Sequence, residues 1–172
     1  MNSIDNSIKQ DVIPQECQPI KISYRRTCQC PEKHINCLTA KEWLKSQIGV
    51  WHFNYEARDI RDKSVHPATF PISLAKKIIE LFTHKGELVL DPFVGSGTTL
   101  IAAQDLDRNS IGFDLQSQYI ELCKQRLGQN FNLFTKSEQI AIQEDARNIS
   151  NYIEPETISL IWTSPPYNVF LN

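Results

Sequence analysis

The sequence has no apolar run near the roughly 18 residues that a membrane-spanning helix needs. Its first residues, MNSIDNSIKQD, do not place an apolar segment after a basic one, so they are not a secretory signal. It shows no internal repeat, and its 172 residues carry a formal net charge of only -2. We therefore expect a cytoplasmic globular protein with no membrane partner, whose five cysteines are reduced.

The small net charge conceals an uneven distribution along the chain. Residues 1–85 carry a net charge of +4, whereas residues 86–172 carry -6. A basic first half permits a polyanionic partner on one face of the protein. It does not require one, because four charges are also common on a solvated surface.

Strands that alternate with helices are predicted over the second half of the chain. Short strands are expected at Glu87–Asp91, Ser110–Asp114, Gln139–Asp145 and Ile158–Trp162, and helices at Thr98–Leu106 and Ser117–Leu127. This alternation indicates an α/β fold of parallel βαβ units with right-handed crossovers. Few residues follow the last strand, so we expect a sheet that is incomplete at its carboxyl-terminal side.

The first half is predicted to form shorter elements behind a polar arm. A strand and two helices are expected, at Lys21–Tyr24, Leu38–Trp51 and Ser73–Phe82. Thr39 is suited to cap the first helix because Glu42 follows three residues later, and Ser73 is suited to cap the second. We divide the chain into an arm, residues 1–37, and a domain, residues 38–172.

The most informative local pattern is Asp91-Pro-Phe-Val-Gly-Ser-Gly-Thr-Thr99, which joins the first of these strands to a helix. Gly95 and Gly97 allow a tight turn and a close approach of a ligand to the backbone. No Gly-Lys-Ser/Thr follows, and the complete G-x-G-x-x-G spacing is missing, so neither a triphosphate loop nor a dinucleotide fingerprint is present. Taken alone, the pattern also fits an ordinary tight turn.

Two further acids end the next two strands. Asp114 stands where a carboxylate can accept both hydroxyls of a ribose, and Asp145 stands at the end of the following strand. Each could instead cap a turn. Because Asp91, Asp114 and Asp145 recur at three successive strand ends, we interpret them as one functional rim of the sheet.

The fourth strand leads into Thr163-Ser-Pro-Pro-Tyr167. Two prolines make a rigid extended turn without amide donors, which leaves carbonyl groups as acceptors. A carbonyl and the Ser164 hydroxyl could hold the hydrogens of an exocyclic amine while the Tyr167 ring stacks on a base. A strand terminator followed by a core tyrosine is the structural alternative.

Taken in order, these motifs resemble the amino-group DNA methyltransferases, over roughly residues 38–167. Asp91–Thr99 is similar to their cofactor loop, and Thr163–Tyr167 to their catalytic motif of Ser, Asp or Asn before Pro-Pro and an aromatic residue. His66–Pro71 is similar to the segment that covers the methionine part of S-adenosylmethionine. Leu38–Trp43 with Val50-Trp51 is similar to the stretch ahead of it.

The resemblance implies a Rossmann-like S-adenosylmethionine-dependent methyltransferase sheet, with helices on both faces and S-adenosylmethionine as cofactor. It implies that the Gly turn contacts the amino acid part of the cofactor, that Asp114 binds the ribose and that Asp145 lies beside the adenine. The implied cofactor-binding residues are Phe70, Asp91, Phe93, Gly95, Gly97, Thr98, Asp114 and Asp145. The implied catalytic residues, which hold a flipped base, are Ser164, Pro165, Pro166 and Tyr167.

The implied reaction is methyl transfer to an exocyclic amine of double-stranded DNA. A Pro-Cys nucleophile is missing after the fourth strand, which argues against carbon-5 chemistry. Ser164 at the first motif position favours cytosine-N4 over adenine-N6, and over small-molecule or protein-glutamine methylation, where Asn is usual. An inactive S-adenosylmethionine-binding module that needs a second chain to complete the methyltransferase is the alternative.

Four soft ligands lie close together in the arm, at Cys28, Cys30, His34 and Cys37. Zinc accepts such sets, but the Cys-x-Cys spacing is tighter than the usual one. We expect reduced thiols here rather than metal ligands. His84 belongs to no pattern in the sequence.

Overall fold

The computed structural model describes residues 21–47, 49–55, 57, 70–129 and 136–165. Its centre is a four-stranded parallel sheet in the order β5-β4-β3-β6, formed by β3 Leu88–Asp91, β4 Asn109–Asp114, β5 Gln139–Gln143 and β6 Ile158–Ile161. These are the four expected strands, with ends that differ by no more than two residues. The α/β prediction is therefore confirmed.

The helices between the strands also lie where the alternation predicts them. They are α2 Ile72–Phe82, α3 Thr98–Asp105 and α4 Ser117–Gln129, and a 3-10 helix, Ala146–Asn151, precedes β6. Since β3, β4 and β5 are added in one direction, α3 and α4 cover the same face of the sheet. The chain then crosses back to place β6 on the other side of β3, and the 3-10 helix covers the second face.

The core has one apolar layer on each face of the sheet because successive strand residues point to opposite sides. Val89 packs against α2 and α3, in a cluster that includes Ile79 and Ala102. Leu90 and Phe113 pack on the other face. Ile22 and Tyr24, near the start of the described chain, also pack on this second face.

The start of the described chain makes less regular structure than the sequence predicts. In place of a strand over Lys21–Tyr24, Ile22 forms an isolated parallel bridge with Ile153. A two-residue hairpin follows, with β1 at His34–Ile35 and β2 at Leu38–Thr39. Ile22 and Tyr24 therefore complete the core without adding a strand to the sheet.

The start of the first helix is predicted correctly, but its predicted length is wrong. Thr39 caps α1, Ala40–Ser46, and forms the expected capping box with Glu42. The helix ends at Ser46 rather than near Trp51, shortly before Gly49, a residue type that disfavours helix interiors. Trp51 instead packs edge-on against Phe53, with 6.2 Å between ring centroids.

The N-cap predicted for the second helix, Ser73, is also wrong, because the observed N-cap lies two residues earlier. Helix α2 begins at Ile72, with Pro71 as its N-cap, and the amide of Leu74 donates to the Pro71 carbonyl at 3.0 Å. Proline is compatible with a helix start because its fixed φ suits the first turn. Ser73 therefore lies inside the helix rather than ahead of it.

No helix in the described ranges is both long enough and apolar enough to cross a bilayer.

Candidate functional site

The change of direction in strand order places two loops side by side. Strand β3 lies between β4 and β6, and the amide of Trp162 donates to the Leu90 carbonyl at 3.0 Å. The turn after Asp91 and the stretch after Ile161 therefore leave the same edge of the sheet as neighbours. Ligands of open α/β sheets bind in the crevice at such a switch point.

Asp91 is buried at the base of this crevice, with 2% of its surface exposed. Its carboxylate accepts the Phe93 amide at 3.1 Å and the Thr99 hydroxyl at 2.5 Å. Burial raises the pKa of Asp91, and the hydrogen bond from Thr99 opposes that shift. The side chain ties the end of β3 to the first turn of α3, so it shapes the loop from below.

Replacing the buried Asp91 carboxylate by an amide should show how much its charge destabilises the folded protein. Because the folded-state pKa of Asp91 is raised, the ionised carboxylate is disfavoured in the folded protein at pH values above its unfolded pKa. We expect Asp91→Asn, which can keep both hydrogen bonds, to melt at the same or a higher temperature than wild type near neutral pH. The difference should shrink as pH falls through the folded pKa of Asp91.

Thermal melts of both proteins across a pH series measure this difference. Glu121→Gln, at an exposed position on α4, provides the matched carboxylate-to-amide control. A gap between wild type and Asp91→Asn that stays constant with pH would show that Asp91 does not carry a raised pKa.

The glycine turn is held by backbone bonds and by the packing of α3. Gly95 and Gly97 have φ values of 48° and 85°, in the left-handed region that favours glycine. Gly97 is the N-cap of α3, and no side chain caps this described helix start. The first amides of α3 therefore have no side-chain cap, and Thr98 and Thr99 at this helix end are buried.

A side chain at Gly97 would collide with the protein itself. A Cβ atom built there overlaps the Cys123 sulfur and lies 3.1 Å from the Cys123 Cβ atom on α4. Close packing of α3 against α4 is therefore a reason for glycine at this position that the sequence pattern did not indicate. This packing constraint is an additional reason for glycine, besides the close approach of a ligand that the sequence predicts.

Arg126 was missed by the sequence analysis although it shapes the same turn. It is 5% exposed, and its guanidinium donates to the Ser96 carbonyl at 2.5 Å and to the Ser96 hydroxyl at 2.9 Å. The available signal was its position three residues after Cys123, on the buried face of α4. A charged residue on that face requires a buried polar partner.

Asp114 lies at the end of β4, which pairs with β3 on the side away from β6, and is partly exposed. Its carboxylate accepts the Gly95 amide at 3.2 Å and the Gln116 amide at 2.9 Å. Leu115, which follows Asp114, and Phe93, in the turn after β3, are exposed to 67% and 44%. A partly exposed acceptor at this strand end suits a ligand with hydroxyl groups.

Asp145 makes local bonds after β5. It accepts the Arg147 amide at 2.9 Å, and its side chain pairs with the Arg147 guanidinium at 2.6 Å. Hydrogen bonds from the Arg147 side chain lower the pKa of Asp145 to about 2. This carboxylate caps the 3-10 helix that follows.

All three acids share one local geometry. Asp91, Asp114 and Asp145 each accept the amide two residues later, so each turns the chain out of its strand. Their regular recurrence thus has a structural cause, which our sequence argument discounted. Asp114 differs from the other two because it also accepts the amide of a glycine of the turn, Gly95.

The expected catalytic stretch lies beside the glycine turn, as far as it is described. Ser164 is partly buried and Pro165 is exposed, while Pro166 and Tyr167 lie outside the described residues. Of His66–Pro71, only Phe70 and Pro71 are described. Phe70 packs edge-on against Trp162, with 5.9 Å between ring centroids, so it lies at the end of β6.

A comparison of the sequence with models of protein families finds a match. The model of the N6/N4 DNA methylases, described as DNA methylase, matches residues 8–125. The chain belongs to this family. The matched residues include the glycine turn and Asp114, whereas the stretch from Thr163 onward lies beyond them.

Individual members of the family show the same relationship. The chain is 33% identical over 117 residues to the Type II methyltransferase M.BglI of Bacillus subtilis, covering 67% of this chain and 32% of that protein. It is 37% identical over 90 residues to M.HpaI of Haemophilus parainfluenzae, covering 52% and 29%. The chain thus spans about a third of the length of these curated relatives.

Solved structures of methylases are also similar. A protein described as a DNA modification methylase of Thermus thermophilus, complexed with S-adenosyl-L-methionine, is 27% identical with a TM-score of 0.48; the match covers 68% of this chain and 43% of that one. The M1.HpyAVI–SAM complex is 42% identical with a TM-score of 0.37, covering 38% and 32%.

Proposed function

We propose that this chain provides the cofactor-binding and catalytic loops of a site-specific DNA methyltransferase that uses S-adenosylmethionine. The observation that carries the proposal is the β3–β6 switch point, where the turn after Asp91 and the Ser164-Pro165 stretch leave one sheet edge together. Membership of the DNA methylase family supports it. A DNA partner, a cytoplasmic location and a role in restriction–modification are parts of the same proposal.

The residues of the crevice fit the chemical groups of the cofactor. The uncapped start of α3 at Gly97 suits the carboxylate of the methionine part. The partly exposed carboxylate of Asp114 suits the ribose hydroxyls, and its negative charge also favours a ligand that carries ammonium and sulfonium cations.

The remaining predicted cofactor residues have supporting positions in this proposal. Phe70 covers the methionine part from its place against Trp162, and Phe93 offers an exposed apolar surface. Thr98 begins the helix that faces the carboxylate. Asp91 acts from below by fixing the turn, and Asp145 borders the adenine while its own carboxylate remains paired with Arg147.

The proposed catalytic stretch holds the target amine. S-adenosylmethionine, when bound, would supply an electrophilic methyl group to the amine nitrogen and leave as S-adenosylhomocysteine, while the proton displaced from the amine would pass to solvent. The Ser164 hydroxyl and the Pro165 carbonyl accept the amine hydrogens and so increase the electron density on the attacking nitrogen. Pro166 keeps the turn rigid, and Tyr167 stacks on the extruded base.

Cytosine-N4 is the proposed target, because Ser164 occupies the first position of the motif; adenine-N6 is the alternative. Digestion of methylated DNA to nucleosides, followed by mass spectrometry, distinguishes N4-methylcytosine from N6-methyladenine. The first product supports the proposal, and the second replaces it with the alternative.

Recognition of a DNA sequence requires base-edge contacts beyond a pocket for one base. The matched stretch covers only 32% of M.BglI and 29% of M.HpaI, and we propose that a second chain or further sequence supplies those contacts. We therefore expect the 172 residues alone to bind S-adenosylmethionine in a calorimetric titration and to transfer little methyl to duplex DNA. Titration without binding would refute the proposed cofactor site.

Ser164→Ala and Tyr167→Ala should separate catalysis from cofactor binding in the methylation-competent protein. We expect both to leave cofactor affinity nearly unchanged. Ser164→Ala should lower turnover most, since its bond strengthens as the nitrogen becomes nucleophilic. Tyr167→Ala should weaken the use of DNA by about 1–3 kcal/mol, the usual range for base stacking on an aromatic ring.

Turnover with tritiated cofactor, cofactor affinity and melting temperature are measured on the same samples. Ser159→Ala, an exposed serine on β6, is the matched control for Ser164→Ala. Wild-type methylation by a folded Tyr167→Ala protein would exclude the stacking role. Joint loss of folding and cofactor affinity would instead make Tyr167 a core residue.

A further inference from the structure

Three thiols and one imidazole converge at the edge of the sheet opposite the proposed cofactor crevice. The ligand atoms of Cys28, Cys30, Cys37 and His84 all lie within 4.8 Å of one another. Two of the distances are 3.3 Å, between the sulfurs of Cys30 and Cys37 and between Cys28 Sγ and His84 Nδ1. The third, from Cys37 Sγ to His84 Nδ1, is 3.6 Å.

These separations match what four ligands of one tetrahedral zinc ion require. Zn–S bonds of about 2.3 Å and Zn–N bonds of about 2.0–2.1 Å put ligand atoms roughly 3.5–3.8 Å apart. The three cysteines form no disulfide, and each of the four residues is partly buried. Only small shifts would be needed to equalise the distances around a central ion.

We propose that Cys28, Cys30, Cys37 and His84 bind one zinc ion. The three cysteines are those that the sequence analysis assigned as reduced thiols, but the fourth ligand is His84 rather than His34. With four protein ligands no coordination position is left for water or substrate, which is the property of a structural zinc site.

The backbone around Cys37 supports this assignment. Asn36 and Cys37 form the turn of the β1–β2 hairpin with φ values of 50° and 70°, a conformation that residues other than glycine rarely adopt. The Lys85 amide lies 3.5 Å from the Cys37 sulfur, to which it donates. An amide that donates to a thiolate is the kind of outer bond that fixes a metal ligand.

The position of His84 is fixed just as firmly by the turn that follows α2. Its backbone amide donates to the Glu87 carboxylate at 2.6 Å. The preceding residue, Thr83, accepts hydrogen bonds from the buried guanidinium of Arg108 through its hydroxyl at 3.2 Å and its carbonyl at 2.9 Å. The positive charge of Arg108 also lies close to the site, where three thiolates and one Zn²⁺ ion would leave a net negative charge.

The ion would fasten the amino-terminal segment to the sheet. Cys28–Cys37 belongs to the segment that enters the fold first, whereas His84 precedes β3. The two stretches already touch, since the Thr27 amide donates to the Lys85 carbonyl at 2.7 Å. A Cβ atom at Gly86 would lie 2.6 Å from the Thr27 side chain, so this contact is close.

Metal analysis of the 172-residue chain, purified under reducing conditions, tests the proposal directly. We expect one zinc per chain by mass spectrometry, a lower melting temperature after chelation and recovery on adding zinc but not magnesium. Substitution by Co²⁺ should give thiolate charge-transfer bands and the ligand-field spectrum of a tetrahedral ion. A chain without zinc whose melting temperature ignores the chelator, or a Cys30–Cys37 disulfide in the native protein, would overturn the proposal.

Two histidine variants identify the fourth ligand. His84→Asn should lose the bound zinc, whereas His34→Asn should keep one equivalent; Cys17→Ser is the corresponding thiol control. His84→Cys should restore binding, with a stronger thiolate-to-cobalt band because four sulfurs replace three. If His84→Asn does not fold, His84→Cys and the wild-type cobalt spectrum still decide: a spectrum of fewer than three thiolates, or zinc retained only when His34 is intact, contradicts the assignment.

Discussion

Gly97→Ala should destabilise the fold by about 2–5 kcal/mol, before any effect on ligand binding is considered. Left-handed backbone costs an alanine about 1–2 kcal/mol, and an added methyl in a filled space typically costs about 1–3 kcal/mol. Both conditions hold, since φ is 85° and the new Cβ atom overlaps the Cys123 sulfur. Urea unfolding of the wild-type and variant chains measures the change.

A double-mutant cycle separates the two contributions. Cys123→Ala removes the overlapping sulfur, so Gly97→Ala should cost less in that background, with a coupling energy of about 0.5–3 kcal/mol. The strain from the positive φ should remain in both backgrounds. Additive effects would show that Cys123 is not the obstacle, and an unaltered free energy of unfolding in Gly97→Ala would refute the described turn.

Asp114→Ala should weaken S-adenosylmethionine binding roughly 10- to 150-fold, the equivalent of about 1.5–3 kcal/mol for a hydrogen bond to a charged group. The carboxylate is the partly exposed acceptor that faces the crevice beside the glycine turn. Isothermal titration of the wild-type and variant chains gives the change in Kd.

Asp114→Asn separates the ribose contact from the shape of the loop. The single amide oxygen can accept the Gly95 amide or the Gln116 amide but not both, so this variant should melt below wild type yet no lower than Asp114→Ala, and should lose affinity through the missing charge. Glu121→Ala, which removes an exposed acid on α4, should bind as wild type does. If Asp114→Ala binds cofactor with unchanged affinity, Asp114 is not part of the site.

The sheet could be predicted from the sequence because its strands are short apolar segments that end at an acid or a turn. Leu88–Asp91 is the clearest case, since all four residues are buried and the glycine turn follows. The capping box of Thr39 and Glu42 likewise predicts the start of α1, because both partners lie within one helical turn. The end of α1 was missed because the apolar spacing continues to Trp51, although Gly49 disfavours a helix interior.

Long-range contacts account for what the sequence could not supply. His84 joins cysteines that lie 47 or more positions away in the chain, and Arg126 reaches Ser96 across 30 positions. The acids at the strand ends show a different difficulty. An aspartate at that position fits a local turn bond and a ligand contact equally well, so the sequence alone does not distinguish the two roles. Geometry distinguishes them: Asp145 is paired with Arg147, whereas Asp114 faces the crevice.

The buried guanidinium of Arg126 makes the glycine loop dependent on α4. Ser96 receives these side-chain bonds from a helix that is separated from the loop by α3 and β4. A chain that ends before α4 would hold both glycines without these bonds, so we expect its turn to be less firmly fixed. The capacity of the turn to hold a ligand would then depend on the whole β3–α4 unit and not on the glycine pattern alone.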